Sequence, residues 1–280
     1  MENKAIINKI IPFSNVDGPG NRLAIFFQGC NIHCIYCHNY ETIHSCVHCM
    51  DCLKGCPTHA LSNIEGMVVY NEKLCIGCDQ CIRVCKHSAS PRTKVYGVEE
   101  LYEIIEGYRP FIRGITVSGG EPTLQADFIT ELFKKVKPLG LTCFVDTNGF
   151  FSREQIKSLI DTADKFMIDI KAVENIERVC GKKLENALEN LKYLLQLDKV
   201  HEVRTVIVLD YLDVENTVWQ VAHILKDFPR VMYKLIPIHL MGLNSFQKES
   251  LQDKVPSKEY MKALREQVIK TGVINVAIIE

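Results

Sequence analysis

The chain has 280 residues, is 47% hydrophobic and carries a net charge of −1, with 13 cysteines. This length permits one large α/β barrel or two smaller domains, and the apolar content suffices for a substantial core. The near-zero charge argues against general affinity for nucleic acid or acidic membranes, and no apolar run of about 18 residues suits a bilayer span.

The first strand predicted covers Arg22–Gln28 and runs into three cysteines, Cys30, Cys34 and Cys37, spaced C-x3-C-x2-C. An insert over residues 41–92 follows. It holds Cys46, Cys49, Cys52 and Cys56, then Cys75, Cys78, Cys81 and Cys85, both runs spaced C-x2-C-x2-C-x3-C. Beyond it, short runs rich in Val, Ile and Phe predict strands at Gly114–Ser118, Leu141–Asp146, Lys165–Ile170, Glu202–Leu209 and Met232–Ile238. Amphipathic stretches predict helices at Val98–Ile112, Ala126–Leu139, Ser152–Ala163, Leu184–Gln196, Val214–Phe228 and Ser257–Lys270. Ser152 with Gln155 fits a capping box. Strands alternating with helices imply parallel pairing and right-handed crossovers. Six such units predict a partial, TIM-like (β/α)6 barrel, discontinuous over residues 1–40 and 93–280, with residues 41–92 as a separate module.

The two four-cysteine runs have bacterial ferredoxin spacing, in which the fourth Cys of each run ligates the other run's cluster. Eight thiolates complete two [4Fe-4S] clusters. The odd run of three leaves a third cluster one ligand short, and an open iron can bind a substrate. Zinc is the alternative, because C-x2-C is also a zinc spacing and His33 or His38 could complete a Cys3His site. Four Cys within eleven residues ending in Cys56-Pro57 differ from the separated pairs of structural zinc sites. The opening Met-Glu-Asn-Lys is no apolar signal segment, so a reducing, cytoplasmic setting without disulfides is expected.

Polar residues collect at the C-terminal ends of the predicted strands, where parallel α/β folds place their sites. These are Gly119-Gly120-Glu121-Pro122, Asp146-Thr147-Asn148-Gly149, the segment Met167–Lys171, and His239 after Pro237. Asp17-Gly18-Pro19-Gly20 precedes the first strand and also suits a plain turn. Cys143 and Cys180 read as ordinary residues rather than ligands.

C-x3-C-x2-C followed by Gly-Gly-Glu-Pro resembles the radical S-adenosylmethionine superfamily. The upstream Asp17-Gly18-Pro19-Gly20-Asn21-Arg22 resembles the glycyl radical enzyme activating enzymes within it. Cys37-His38-Asn39, Asp146–Gly149, Asp169–Lys171 and Ile236–His239 extend the likeness, and Ile10–Val16 is similar to the YjjW-like subgroup. Asn21 departs from the pattern, since many relatives carry Ile there. The resemblance implies that the Cys30, Cys34 and Cys37 cluster chelates S-adenosylmethionine and cleaves it to methionine and a 5′-deoxyadenosyl radical. That radical would take a hydrogen atom from the C-terminal glycine loop of a partner glycyl radical enzyme, with Asp17 meeting that loop. It implies cofactor contacts from Tyr36, Gly119, Gly120, Glu121, Asp146, Thr147, Asp169, Lys171, Arg204 and His239. A monovalent cation, sodium or potassium, would sit among Asp146, Thr147, Met167 and Asp169. The insert would relay electrons from a flavodoxin or ferredoxin to a monomeric enzyme. The alternatives are another radical enzyme acting on a peptide or nucleoside, or a plain electron carrier.

Overall fold

The computed structural model describes residues 3–279, which gather into two compact units. Residues 3–31 with 39–141 form the first, and residues 32–38 with 142–279 the second.

The first unit contains β1 (Lys4–Ser14), β2 (Arg22–Phe27), the pair β3 (Leu61–Ile64) and β4 (Met67–Tyr70), α1 (Gln80–Arg83), β5 (Lys94–Gly97), α2 (Val98–Tyr108), β6 (Gly114–Gly119) and α3 (Ala126–Val136). Its larger sheet has the order β6-β2-β1-β5. β2 and β6 are parallel, with Phe27 beside Gly119, while β1 runs antiparallel to β2 and β5. Every β2 residue is buried, as expected of a strand covered on both faces. β1 and β5 are additions to the sequence reading. The second half of β1 is only partly buried, so its alternation fades. In α3, Phe128, Ile129, Leu132, Phe133 and Val136 form one buried stripe at helical spacing. Pro138 and the left-handed Gly140 turn the chain after it.

Within the insert, β3 and β4 make a hairpin whose Glu65-Gly66 tip has positive φ at both positions, the geometry that matches strand twist. Cys52, Leu61, Val68, Cys81 and Ile82 form its small core. A bridge between His44 and Ala89 brings its two ends together.

The second unit contains β7 (Thr142–Thr147), α4 (Lys157–Thr162), β8 (Lys165–Asp169), α5 (Ile176–Cys180), α6 (Ala187–Gln196), β9 (Val200–Ile207), α7 (Val214–Leu225), β10 (Met232–Pro237), α8 (Ser245–Leu251), α9 (Lys258–Lys270) and β11 (Val276–Ile278). Its strands follow the order β11-β10-β9-β8-β7, and the described pairs are parallel. α5, α8 and β11 are too short for a periodic signal. The helix expected from Ser152 begins at Lys157. The Ser152 hydroxyl does accept from Gln155 N at 3.4 Å, but the following bonds mix i+3 and i+4 spacing, so the first turn is irregular. Ser257 caps α9 through Tyr260 N at 3.1 Å, and Met261, Leu264 and Val268 form its buried face. The fold is therefore α/β with mostly parallel strands.

One contact decides how the Cys30 loop begins. A Cβ added at Gly119, where φ is +113°, would collide with the Phe27 backbone. One added at Gly120 would collide with the Gly29 carbonyl. The glycines are thus required by backbone-to-backbone packing at the ends of β2 and β6. We predict that Gly120→Ala destabilises the protein by roughly 1–3 kcal/mol, as overpacking does. Gly29→Ala is the comparison, because its Cβ meets nothing within 4 Å and only its φ of +106° is unfavourable. Thermal unfolding of both variants measures this, and an equal or smaller loss for Gly120→Ala would refute the contact as the cause.

Candidate functional site

In the first unit, backbone bonds fix the loop that delivers Cys30. Gly29 N donates to the Thr42 carbonyl at 2.7 Å and Cys30 N to the Ile43 carbonyl at 3.0 Å. From the other side, Gly120 N donates to the Phe27 carbonyl at 3.0 Å and Glu121 N to the Gly29 carbonyl at 2.7 Å. The buried Glu121 carboxylate caps the next turn, accepting from Thr123 N at 3.1 Å and its hydroxyl at 2.6 Å.

Asp17 stands between β1 and β2. The Ser14 hydroxyl donates to its carboxylate at 2.5 Å. The Thr116 hydroxyl donates to its carbonyl at 2.6 Å while accepting from Arg22 Nε at 2.7 Å. Arg22 is fully buried, so the arginine of the D-G-P-G-x-R pattern anchors this loop from beneath. Asn21, the departure from that pattern, uses its amide to hold the Phe111 carbonyl at 2.8 Å.

The second unit brings Asp146, Asp169, Lys171 and Arg204 together. Asp146 and Asp169 end β7 and β8, and Arg204 lies beside Asp169 in the β8–β9 register. The Arg204 guanidinium therefore reaches both carboxylates, pairing with Asp146 and, at 2.5 Å, with Asp169. Lys171 Nζ donates to the other Asp169 oxygen at 2.7 Å. Burial favours the neutral acid at Asp169, but Arg204 and then Lys171 outweigh it and hold the carboxyl down at about 2. Burial likewise opposes charge on Lys171, and Asp169 more than offsets it, so this ammonium stays protonated. Thr147 and Met167, expected at a cation, are both buried.

Cys34, Tyr36 and Cys37 also belong to this unit. Tyr36 is buried, its hydroxyl has no hydrogen-bond partner, and Lys171 Nζ stands 5.9 Å from its ring. Burial pushes that hydroxyl well above the usual phenol range. An orphaned buried donor of this kind calls for a ligand or water. α5 supports the segment through His33 N to the Cys180 carbonyl at 2.7 Å and Ile35 N to the Val179 carbonyl at 3.0 Å. The Cys180 thiol, read from sequence as an ordinary residue, hydrogen-bonds the Cys34 sulfur. That bond, with Lys171 behind it, holds the Cys34 thiol below its ordinary value against burial, favouring the thiolate form. His239 stacks on His38 with centroids 4.1 Å apart, and the His38 ring nitrogen is 3.0 Å from the His239 carbonyl. Gln247 Nε2 donates to the Ile35 and Cys37 carbonyls at 3.2 and 3.3 Å. In the sequence His38 reads as part of a motif or as a zinc ligand, and Gln247 lies on α8, which is too short to give a sequence signal.

The insert supplies a separate donor set. One cavity is lined by Cys75, Cys78 and Cys81 together with Cys56, the fourth Cys of the preceding run. This grouping of three cysteines of one run with the fourth of the other matches ferredoxin spacing, so these residues fit a cluster. Among the described residues, no three His, Cys, Asp or Glu side chains converge as a single-ion site. A four-iron cluster does not require that, since each thiolate ligates its own iron.

Residues 24–226 match the Radical SAM superfamily. The chain belongs to that family. A Haemophilus influenzae protein provisionally named a glycyl-radical enzyme activating enzyme is 34% identical, with 95% of this chain and 94% of the relative aligned. The choline trimethylamine-lyase activating enzyme of Oleidesulfovibrio alaskensis is 30% identical over 89% of this chain and 88% of its own length. A domain of the pyruvate-formate lyase-activating enzyme from Bacteroides vulgatus shares the fold, with TM-score 0.50, 21% identity and coverage of 60% of this chain and 99% of that one. The chain is a glycyl radical enzyme activating enzyme of the radical SAM superfamily. As a member it cleaves S-adenosylmethionine and generates a glycyl radical on a partner enzyme. Among the described residues no helix is long and apolar enough to cross a membrane.

The depressed Asp169 carboxyl makes a pH prediction. Its ordinary value is 3.8 and its folded value about 2. A lowered carboxyl stabilises the fold above the unfolded value and loses that contribution as pH falls through the folded one. We expect Asp169→Asn to destabilise the cluster-free protein by about 2 kcal/mol at pH 7. The gap should shrink between pH 4 and pH 2. Urea midpoints across that range measure it, and a gap independent of pH would remove the carboxylate charge as its source.

Proposed function

We propose a division of labour within this activating enzyme that rests on the buried, partnerless Tyr36 hydroxyl beside the Asp146, Asp169, Lys171 and Arg204 charge network. Cys30, Cys34 and Cys37 hold the cluster that has an open iron. When bound, that cluster supplies the electron that breaks the C5′–S bond of S-adenosylmethionine. The chain's own residues bind and orient the cofactor. Gly119, Gly120 and Glu121 form a turn assigned to its binding, and Gly120 also fixes the backbone that leads to Cys30. Lys171 and Arg204 are the fixed cations suited to its carboxylate. Asp146, Thr147 and Asp169 supply acceptors, Tyr36 an apolar face with one unsatisfied hydroxyl, and His239 a ring already oriented by His38.

A sodium or potassium ion among Asp146, Thr147, Met167 and Asp169 belongs to the same proposal. The two carboxylates are already bridged by Arg204, so such an ion would share them with the guanidinium. The partial (β/α)6 barrel and the division into residues 1–40 with 93–280 and an insert of 41–92 are proposed on the same footing. So are a cytoplasmic, monomeric protein and a flavodoxin or ferredoxin donor.

The insert carries two further [4Fe-4S] clusters in this reading, one on Cys56, Cys75, Cys78 and Cys81, the other on Cys46, Cys49, Cys52 and Cys85. The shared cavity supports the first of these ligand sets. Their role is electron relay. Anaerobically reconstituted protein should hold about twelve irons. Changing Cys30, Cys34 and Cys37 to Ala should remove about four irons and all cofactor cleavage. Stoichiometric zinc with little iron would overturn the assignment.

Asp17 faces the partner's glycine loop, its backbone held by Thr116 and its carboxylate by Ser14. Asp17→Ala should keep 5′-deoxyadenosine production by the reduced enzyme without partner. Glycyl radical yield should fall on the order of a hundredfold, the cost of misplacing a reacting group by about 1 Å. Electron paramagnetic resonance of the partner and 5′-deoxyadenosine counts read the two outputs separately. Loss of both together would move Asp17 to the cofactor site.

A further inference from the structure

The cavity shared by Cys56, Cys75, Cys78 and Cys81 has polar neighbours that ligation alone does not use. Tyr70, Asp79 and Arg92 also line it. The Arg92 guanidinium donates to the Asp79 carboxylate at 2.7 Å; the arginine side chain is 21% exposed and the aspartate 52%. Gly77 N donates to the Cys75 sulfur at 3.4 Å, and the Tyr70 and Arg92 side chains line the same cavity as that sulfur.

Hydrogen bonds and positive charge at a cluster thiolate favour the reduced state, which carries one more electron, and so raise the reduction potential. Asp79 opposes this, but water and salt screen an exposed charge more than a half-buried one. The guanidinium lines the same cavity as the Cys75 sulfur and is the less exposed of the pair, so its effect at the cluster exceeds that of its partner.

We propose that Arg92 is a positioning residue of the relay, raising the reduction potential of the cluster on Cys56, Cys75, Cys78 and Cys81, with Asp79 tempering it. This cluster is then the place in the insert where an electron from a flavodoxin- or ferredoxin-class donor is held. The inference rests on the reading that the insert binds clusters.

The test is a potentiometric titration of the reconstituted holoenzyme, followed by electron paramagnetic resonance, with iron analysis on every sample. In Arg92→Gln one couple should fall by at least tenfold in its reduction equilibrium, 59 mV for a one-electron couple. In Asp79→Asn the same couple should rise. Arg92→Lys, which keeps the charge but loses the fork, should recover part of the shift. A purely structural ion pair would not move the two neutral variants in opposite directions. Unchanged potentials, shifts of the same sign, or loss of iron from Arg92→Gln with no rise in Asp79→Asn would each overturn the tuning role. Wild-type protein with only about four irons would instead show that the insert binds no clusters, and the proposal would fall with that reading.

Discussion

A guanidinium buried between two carboxylates organises the second unit. Arg204 on β9 pairs with Asp146 at the end of β7 and Asp169 at the end of β8, and Lys171 closes on the far oxygen of Asp169. Glu202, almost fully buried two residues before Arg204, pairs in turn with Lys234 on β10 at 2.5 Å. Four neighbouring strands thus contribute to one charge network. Such networks are weak evidence for stability, because apolar residues of similar volume often do as well without the desolvation cost. Their concentration at strand ends is better explained by chemistry. A set of fixed charges, already desolvated, needs little reorganisation when it meets a charged ligand.

The Cys30 loop depends on a different constraint, steric rather than electrostatic. The ends of β2 and β6 approach so closely that neither Gly119 nor Gly120 can carry a side chain. The resemblance attributes these glycines to the cofactor. The packing shows a prior demand: without them the Phe27–Cys30 backbone could not accept the bonds from Gly120 N and Glu121 N. The role the resemblance implies would act at the same atoms, so a substitution there reports on loop placement before it could report on binding. Thr116 and Arg22 do comparable work for the Asp17 loop. They use side-chain bonds in a region where Gly18 and Gly20 leave the backbone free to turn.

Much of the alternating pattern was legible in the sequence because six strands are short, apolar and followed by amphipathic stretches. β1 was not, because its second half is half exposed and carries no clean alternation. The short elements α5, α8 and β11 have too few residues for a period to show. At the candidate site, the charged and glycine positions at strand ends could be named because they follow strands. The contacts that depend on distant chain segments could not. Cys180 meets Cys34 and Gln247 meets Ile35 and Cys37 only because α5 and α8 fold onto the cysteine segment. A lone Cys or Gln in a sequence carries no sign of such a meeting.

The insert's energetics give its cysteines a role beyond the proposed electron transfer. Its buried core is Cys52, Leu61, Val68, Cys81 and Ile82, so two proposed ligands are themselves core residues. Its secondary structure amounts to a four-residue hairpin pair, one helical turn at α1 and short 3₁₀ segments. A segment of this size and regularity buries too little apolar surface to offset its chain entropy alone. Ligand binding to deprotonated thiolates is then folding free energy for the segment. In the proposed ligand sets the two four-cysteine runs exchange their fourth ligands, so each cluster would tie together both halves of the insert. That arrangement links cluster occupancy to the shape of the cavity that holds Tyr70, Asp79 and Arg92 near the Cys75 sulfur. On the proposed reading tuning and folding share the same atoms, and the charge of Arg92 would act on a cluster whose assembly fixes where that charge stands.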